Sequence, residues 1–260
     1  MKQNIFVFAV VLLISAISSH AQSLTDQAAD AYNKDDFNKA LELYLKAAQE
    51  DGTSSELFYN IGNTYYKLDK NGMAILYYER AILLDPQNDD ARSNLEFVNE
   101  KANLNIDKGA TYWKDSLDEL VSGFTSSMWG WIGVASFLLF IVLLVVYIFV
   151  DTVILRKIGF FGGGIVLICS ILANVCAFYV KSKTEAHNQA IVVVPSVTLS
   201  TSPRQPKDKT EEAFILNEGT KVSVVDSVTN TASGNNEKWY NVKADDTHRA
   251  WIISSAMEII

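Results

Sequence analysis

The residues best able to do chemistry are few in this chain and widely scattered. Cys169 and Cys176 fall in one apolar stretch, where they offer neither a disulfide framework nor a thiolate metal site. His20, His187 and His248 stand far apart and show no ligand spacing. No nucleophile–base pair, carboxylate constellation or cofactor loop stands out, so no catalytic, cofactor-binding or metal-binding residue is expected. Gly159-x-x-x-Gly163 has the small residues of a phosphate loop but sits among apolar side chains, where that spacing serves helix packing. The net charge of −8 and a pI near 4.9 argue against a nucleic-acid partner, because phosphate neutralisation needs clustered Lys and Arg.

With catalysis set aside, the hydropathy pattern decides the organisation. The 260 residues are 49% hydrophobic and 20% charged, with mean hydropathy +0.10, a little too apolar for an ordinary soluble chain. The excess lies in 129–150 and 158–180, which contain no Asp, Glu, Lys or Arg. At about 1.5 Å per residue each is long enough for a hydrocarbon core of about 30 Å. The expectation is two transmembrane helices over those ranges, joined by a cytoplasmic hairpin loop at 151–157 that carries Arg156 and Lys157. Asn174 is the one strongly polar side chain in the spans and is expected to make a helix–helix hydrogen bond; Gly162 and Gly164 widen the packing face of Gly159 and Gly163. At the N-terminus, Lys2, an apolar run to Ile17 and small residues at Ser19 and Ala21 predict a signal peptide over 1–21. Export of the residues beyond this signal places the hairpin loop inside, with the N- and C-terminal domains on the periplasmic side. Tyr112, Trp113, Leu117, Leu120, Val121 and Phe124 recur at helical spacing, so 109–128 reads as an amphipathic juxtamembrane segment.

Between signal and membrane the chain repeats itself at a period of 34. Ala40, Tyr44 and Ala47 return as Ala74, Tyr78 and Ala81; the second copy adds Phe58, Gly62, Tyr65 and the closing Pro86. This pattern resembles the tetratricopeptide repeat, which implies paired helices packed through small residues. Ala28 stands where the second copy has Gly62, and Ala91, Leu95 and Val98 mark a further helix as the cap that stacked repeats need. Residues 22–108 are thus read as an all-α tetratricopeptide domain of two repeats plus a capping helix. Such repeats bind peptides or helices in a concave groove, and the resemblance places Tyr32, Tyr59, Asn60, Asn63, Tyr66 and Lys67 along it. Residues 22–110 hold 16 acidic and 9 basic side chains, so a partner surface is expected to be neutral or basic.

After the second span the texture changes to short β-prone runs at 191–194, 197–199, 214–216, 222–228, 239–242, 250–253 and 257–260, broken by proline, glycine and asparagine. Residues 187–260, with Phe214-Ile-Leu-Asn-Glu-Gly219, Trp239-Tyr240-Asn-Val242 and Ala250-Trp251-Ile252, resemble a bacterial SH3 domain. The resemblance implies a small all-β barrel with Gly219 at a tight turn, Trp239 and Tyr240 on a core strand, and Trp251 plugging the barrel.

The fold class expected is therefore a multi-domain membrane protein: tetratricopeptide module, two-helix transmembrane hairpin and SH3-like barrel. That order resembles the BatE family of the Bat aerotolerance operon. The resemblance implies residence in a bacterial inner membrane, with von Willebrand type A domain membrane proteins of the Bat type as partners. Two functional readings arise. One is a non-catalytic scaffold, and the other an envelope sensor or anchor that binds peptidoglycan through its SH3-like domain.

Overall fold

The computed structural model describes residues 23–102, 120–185, 188–230, 237–245 and 247–260. The expected signal peptide and residues 109–119 of the expected amphipathic segment lie outside that set, and 126–128 of that segment belong to the helix after it. The chain divides into two compact units between Thr53 and Ser54, a boundary that the expected 22–108 domain straddles.

In the first unit, α1 (Leu24–Asn33) and α2 (Phe37–Glu50) form an antiparallel pair. Ser23 Oγ accepts the Asp26 N–H at 3.0 Å while the Asp26 carboxylate reaches back to the Ser23 N–H at 3.3 Å, a reciprocal cap. Asp36 caps α2 by accepting the Lys39 N–H at 3.3 Å. Ala28, Ala31, Ala40, Tyr44 and Ala47 are buried.

The second unit begins with α3 (Ser55–Lys67), α4 (Asn71–Leu84) and α5 (Asp89–Lys101). Gly62 lets α3 and α4 meet: a Cβ there would lie 2.7 Å from the Tyr78 ring, closer than atoms can approach. Ala74, Ala81 and Tyr78 fill the same seam and are at most 1% exposed, and Tyr65 is also buried. Asp85 is extended (φ −137°, ψ 98°), as the residue before Pro86 must be, and α4 stops at Leu84. Asn88 then starts α5 by accepting the Ala91 N–H at 2.9 Å.

Two long helices come next, α6 (Ser126–Phe149) and α7 (Val153–Glu185), each long and apolar enough to cross a membrane. Only 6% of the most apolar stretch of α6 and 22% of that of α7 is buried within the protein, so Leu138, Phe149 and Phe178 point outward. The helices depart from the apolar limits at both ends. The connection shrinks from the expected 151–157 to Val150–Thr152, and Arg156 and Lys157 are helical. Hydropathy marks where a bilayer would end, whereas Arg and Lys propagate a helix well; the Arg156 N–H bonds the Thr152 carbonyl at 3.0 Å. At the other end α7 runs past 180 to Glu185, with Lys181 and Glu185 one turn apart at 3.8 Å. Close packing centres on Gly159, where a Cβ would meet the Leu143 carbonyl oxygen at 2.8 Å, whereas Gly164 faces open space. The interhelical hydrogen bond comes from Ser170, whose Oγ donates to the Gly133 carbonyl at 2.9 Å. Asn174 instead donates to the Ser170 carbonyl of its own helix, its amide pressed over Gly133.

The C-terminal residues form a seven-stranded antiparallel sheet in the order β3-β2-β6-β5-β4-β1-β7. Its strands are β1 (Gln189–Val192), β2 (Ser196–Ser200), β3 (Glu212–Asn217), β4 (Lys221–Asn230), β5 (Glu237–Lys243), β6 (Arg249–Ile253) and β7 (Met257–Ile259). Its core holds Val192, Leu199, Leu216, Val222, Val242, Ala250, Ile252 and Met257. Gly219 turns β3 into β4 with φ +85°, its N–H bonded to the Val192 carbonyl at 2.7 Å. Trp251 does not plug this core. Strand alternation puts Ala250 and Ile252 inside together, so Trp251 between them is directed away and is half-buried. Tyr240 packs against the core, and Trp239 is the buried tryptophan of the sheet.

Candidate partner-binding face

Helix α3 carries five of the six residues expected along a groove, at helical spacing of roughly one and two turns: Tyr59, Asn60, Asn63, Tyr66 and Lys67. Ser54 starts the helix, its Oγ accepting the Leu57 N–H at 3.1 Å. Ser55 ties that start to both neighbouring helices: its hydroxyl donates to the Ala81 carbonyl at 2.8 Å and accepts from Asn88 Nδ2 at 2.9 Å. The platform is therefore braced at one end by hydrogen bonds and in the middle by Gly62 against Tyr78.

The five side chains have different roles. Asn63 Oδ1 is doubly engaged, accepting from the Tyr78 hydroxyl at 2.7 Å and from Asn94 Nδ2 at 2.8 Å. Tyr66 meets Phe97 edge-on at 5.9 Å between ring centres, and Lys101 lies over its ring at 4.7 Å. Tyr59 tilts against Tyr78 at 6.2 Å. Asn60 is half-buried and lends its backbone carbonyl to the Thr64 hydroxyl at 2.7 Å, while the Lys67 side chain is exposed. Tyr32 belongs to the first unit, where its ring meets Phe37 edge-on at 5.3 Å.

Asn94, Phe97 and Lys101 of α5 thus share this face with α3. The sequence offered a signal for them, because positions 94, 97 and 101 recur at helical spacing beside the Ala91 and Val98 core stripe. Phe97 is 55% exposed, a large ring left in water next to Tyr66. A cation, two aromatic rings and amide groups on one surface suit a peptide or helix that brings apolar and hydrogen-bonding groups together.

Behind the face, Tyr65 stacks on Tyr77 at 5.3 Å, and Phe58 meets Tyr77 edge-on. Burial pushes the Tyr65 phenol up to about 12, with a smaller push from Tyr77, against which Arg80 works. Burial raises Tyr77 as well. These are structural phenols, kept neutral by the packing.

Elsewhere, no group of three or more His, Cys, Asp or Glu among the described residues is arranged to hold a metal ion. His248 sits in a tight turn of the sheet, with Nδ1 2.6 Å from the Asp245 carboxylate. Asp245 also accepts the Thr247 hydroxyl and the Thr247 and His248 N–H groups, and these hydrogen bonds hold its carboxyl far below the usual range.

Residues 55–88, which span α3 and α4 to the start of α5, match the family model of the tetratricopeptide repeat. No curated protein matches the chain. The matched stretch contains Gly62, Tyr65, Ala74, Tyr78 and Ala81, which close the α3–α4 seam, and Pro86, which follows the end of α4; repeats of this family generally mediate protein–protein contacts.

Proposed function

We propose that this chain is a non-catalytic, membrane-anchored scaffold that binds protein partners through its tetratricopeptide segment, beside an SH3-like barrel. The reading places both modules on the periplasmic side of a bacterial inner membrane, in a Bat-type aerotolerance or stress complex whose other members carry von Willebrand type A domains. One observation carries it: a family-matched repeat presents Tyr59 and Tyr66 on a braced face, where Phe97 and Lys101 of the following helix α5 pack on Tyr66. The outward apolar surface of α6 and α7 supports the membrane anchor. Seven short strands with a left-handed glycine turn at Gly219 support the SH3-like reading.

The test is crosslinking in intact membranes followed by mass spectrometry and co-purification, comparing the natural chain with a Tyr59→Ala, Lys67→Glu variant. The scaffold reading expects a specific membrane partner whose recovery falls at least severalfold in the variant. Undiminished recovery rules out the α3 face. If purified cell wall retains the full chain and no protein partner is crosslinked, the peptidoglycan-binding anchor replaces the scaffold.

A further inference from the structure

Helix α4 opens without a cap of its own. Lys70 stands at its N-cap with φ −97° and ψ 73°, and a lysine has no acceptor to offer the first N–H groups. The equivalent residue of the first repeat, Asp36, holds nearly the same backbone (φ −83°, ψ 68°) and does accept the Lys39 N–H. For α4 the acceptor arrives from the sheet: the Gly72 N–H donates to Glu218 Oε1 at 2.7 Å, across 146 residues of chain. A Cβ at position 72 would stand 2.6 Å from Glu218 Cγ and 2.8 Å from the Val192 carbonyl oxygen, so a glycine is what admits the carboxylate.

Two more contacts continue along this side of α4, two turns further on. Glu79 pairs with Lys221 at 2.8 Å, and Arg80 donates to the Ile259 carbonyl at 2.5 Å. The three sheet groups lie close together in the fold, because Glu218 and Lys221 flank the Gly219 turn while β7 pairs with β1 beside it. The opposite side of α4 supports the partner-binding face, through the Tyr78 hydroxyl on Asn63.

We infer that the sheet is the intramolecular partner of the second repeat. Glu218 supplies the helix cap that the repeat lacks, and Lys221 and the Ile259 carbonyl hold the outer side of α4, so that repeat and sheet form one docking body. The outer side of α4 is thereby closed to other proteins, and a partner must use the side formed by α3 and α5. The sheet then contributes to partner binding without touching the partner, by holding the helix on which Tyr78 and Asn63 depend.

Hydrogen exchange on the full chain in detergent micelles tests this without any partner or bilayer, so its failure leaves the scaffold proposal standing. Glu218→Ala is expected to speed exchange of the first amides of α4 roughly tenfold, the loss of one good N-cap, with α1 and α2 unchanged. Adding Lys70→Asp to that variant should restore protection, because the backbone at position 70 already has the capping geometry of Asp36. The inference is overturned if Glu218→Ala leaves α4 protection unchanged, or if exchange rises evenly through the chain and Lys70→Asp gives no recovery. A charge swap offers an independent reading. Glu79→Lys alone should expose the turn at Gly219 to added protease, and pairing it with Lys221→Glu should reverse the effect; equal cleavage in all three proteins counts against the interface.

Discussion

The two helix pairs, α1–α2 and α3–α4, share one plan offset by 34 residues, and the correspondence extends to the turn. Asp35 and Asp69 both take left-handed backbone, φ 59° and 57°. The next residue in each turn donates its N–H five residues back, to Ala31 and Tyr65, at 3.0 Å in both. They differ in what stabilises the second helix. The first pair is locally complete, with Asp36 capping α2; the second has Lys70 at that position and takes its acceptor from Glu218. A repeat beside another module can give up a local device and regain it as a long-range contact. What was generic helix stability then becomes specific attachment.

The largest expected effect falls on the seam of the second pair. Tyr78→Ala removes a ring 1% exposed and one of the two donors to Asn63, so it should cost about 3–5 kcal/mol in denaturant unfolding. A loss under about 1 kcal/mol would mean that Gly62 and Tyr78 do not set the packing.

Alkali probes the same seam. The Tyr65 phenol titrates near 12 in the fold and near 10 when unfolded, so the folded state retains its proton to higher pH. The neutral phenol's contribution is intact below pH 10 and is lost as pH rises from 10 towards 12, on the order of 2 kcal/mol. Unfolding followed against pH, with Tyr65→Phe as control, checks this; the variant should flatten the decline.

The contrast between the pairs is sharpened at positions 38 and 72. Gly72→Ala should destabilise by about 1–3 kcal/mol, because its methyl group meets Glu218 and Val192. Asn38→Ala, at the exposed equivalent in α2, should be neutral within about 0.5 kcal/mol. The smallest difference lies at the caps: Asp36→Ala should cost about 1 kcal/mol, and Lys70→Ala almost nothing. Equal costs at 36 and 70 would remove the distinction between a self-capped and a borrowed-cap helix.

Much of this organisation is legible in the residues themselves. Seven β-prone runs stand in the C-terminal residues, and seven strands lie over them within a few positions, since alternation and turn residues act locally. Ala74, Tyr78, Ala81 and Gly62 announce the seam because a repeat spacing records which side chains must be small. Other features are misplaced by a reading of residue type alone, for physical reasons. The SH3 resemblance implies that Trp251 plugs the barrel, yet strand parity gives that place to Ile252. Asn174 is the most polar side chain of the apolar stretches 129–150 and 158–180 and so suggests the interhelical bond. Ser170, shorter and directly opposite the Gly133 carbonyl, makes that bond instead.

Whatever depends on near neighbours is written in the order of the residues. Apolar length specifies two helices able to cross a membrane, a period of 34 specifies helix pairs and their small-residue contacts, and period-2 runs specify strands. It takes the packed molecule to commit Asn63 to Tyr78 and Asn94, to bring Phe97 and Lys101 to Tyr66, and to set Glu218 on the start of α4. These contacts join residues from 15 to 146 positions apart. The physical reason is that a hydrogen bond or ring contact acts over only a few ångströms. Its partners are therefore set by how helices and sheet come to rest, which no local pattern encodes.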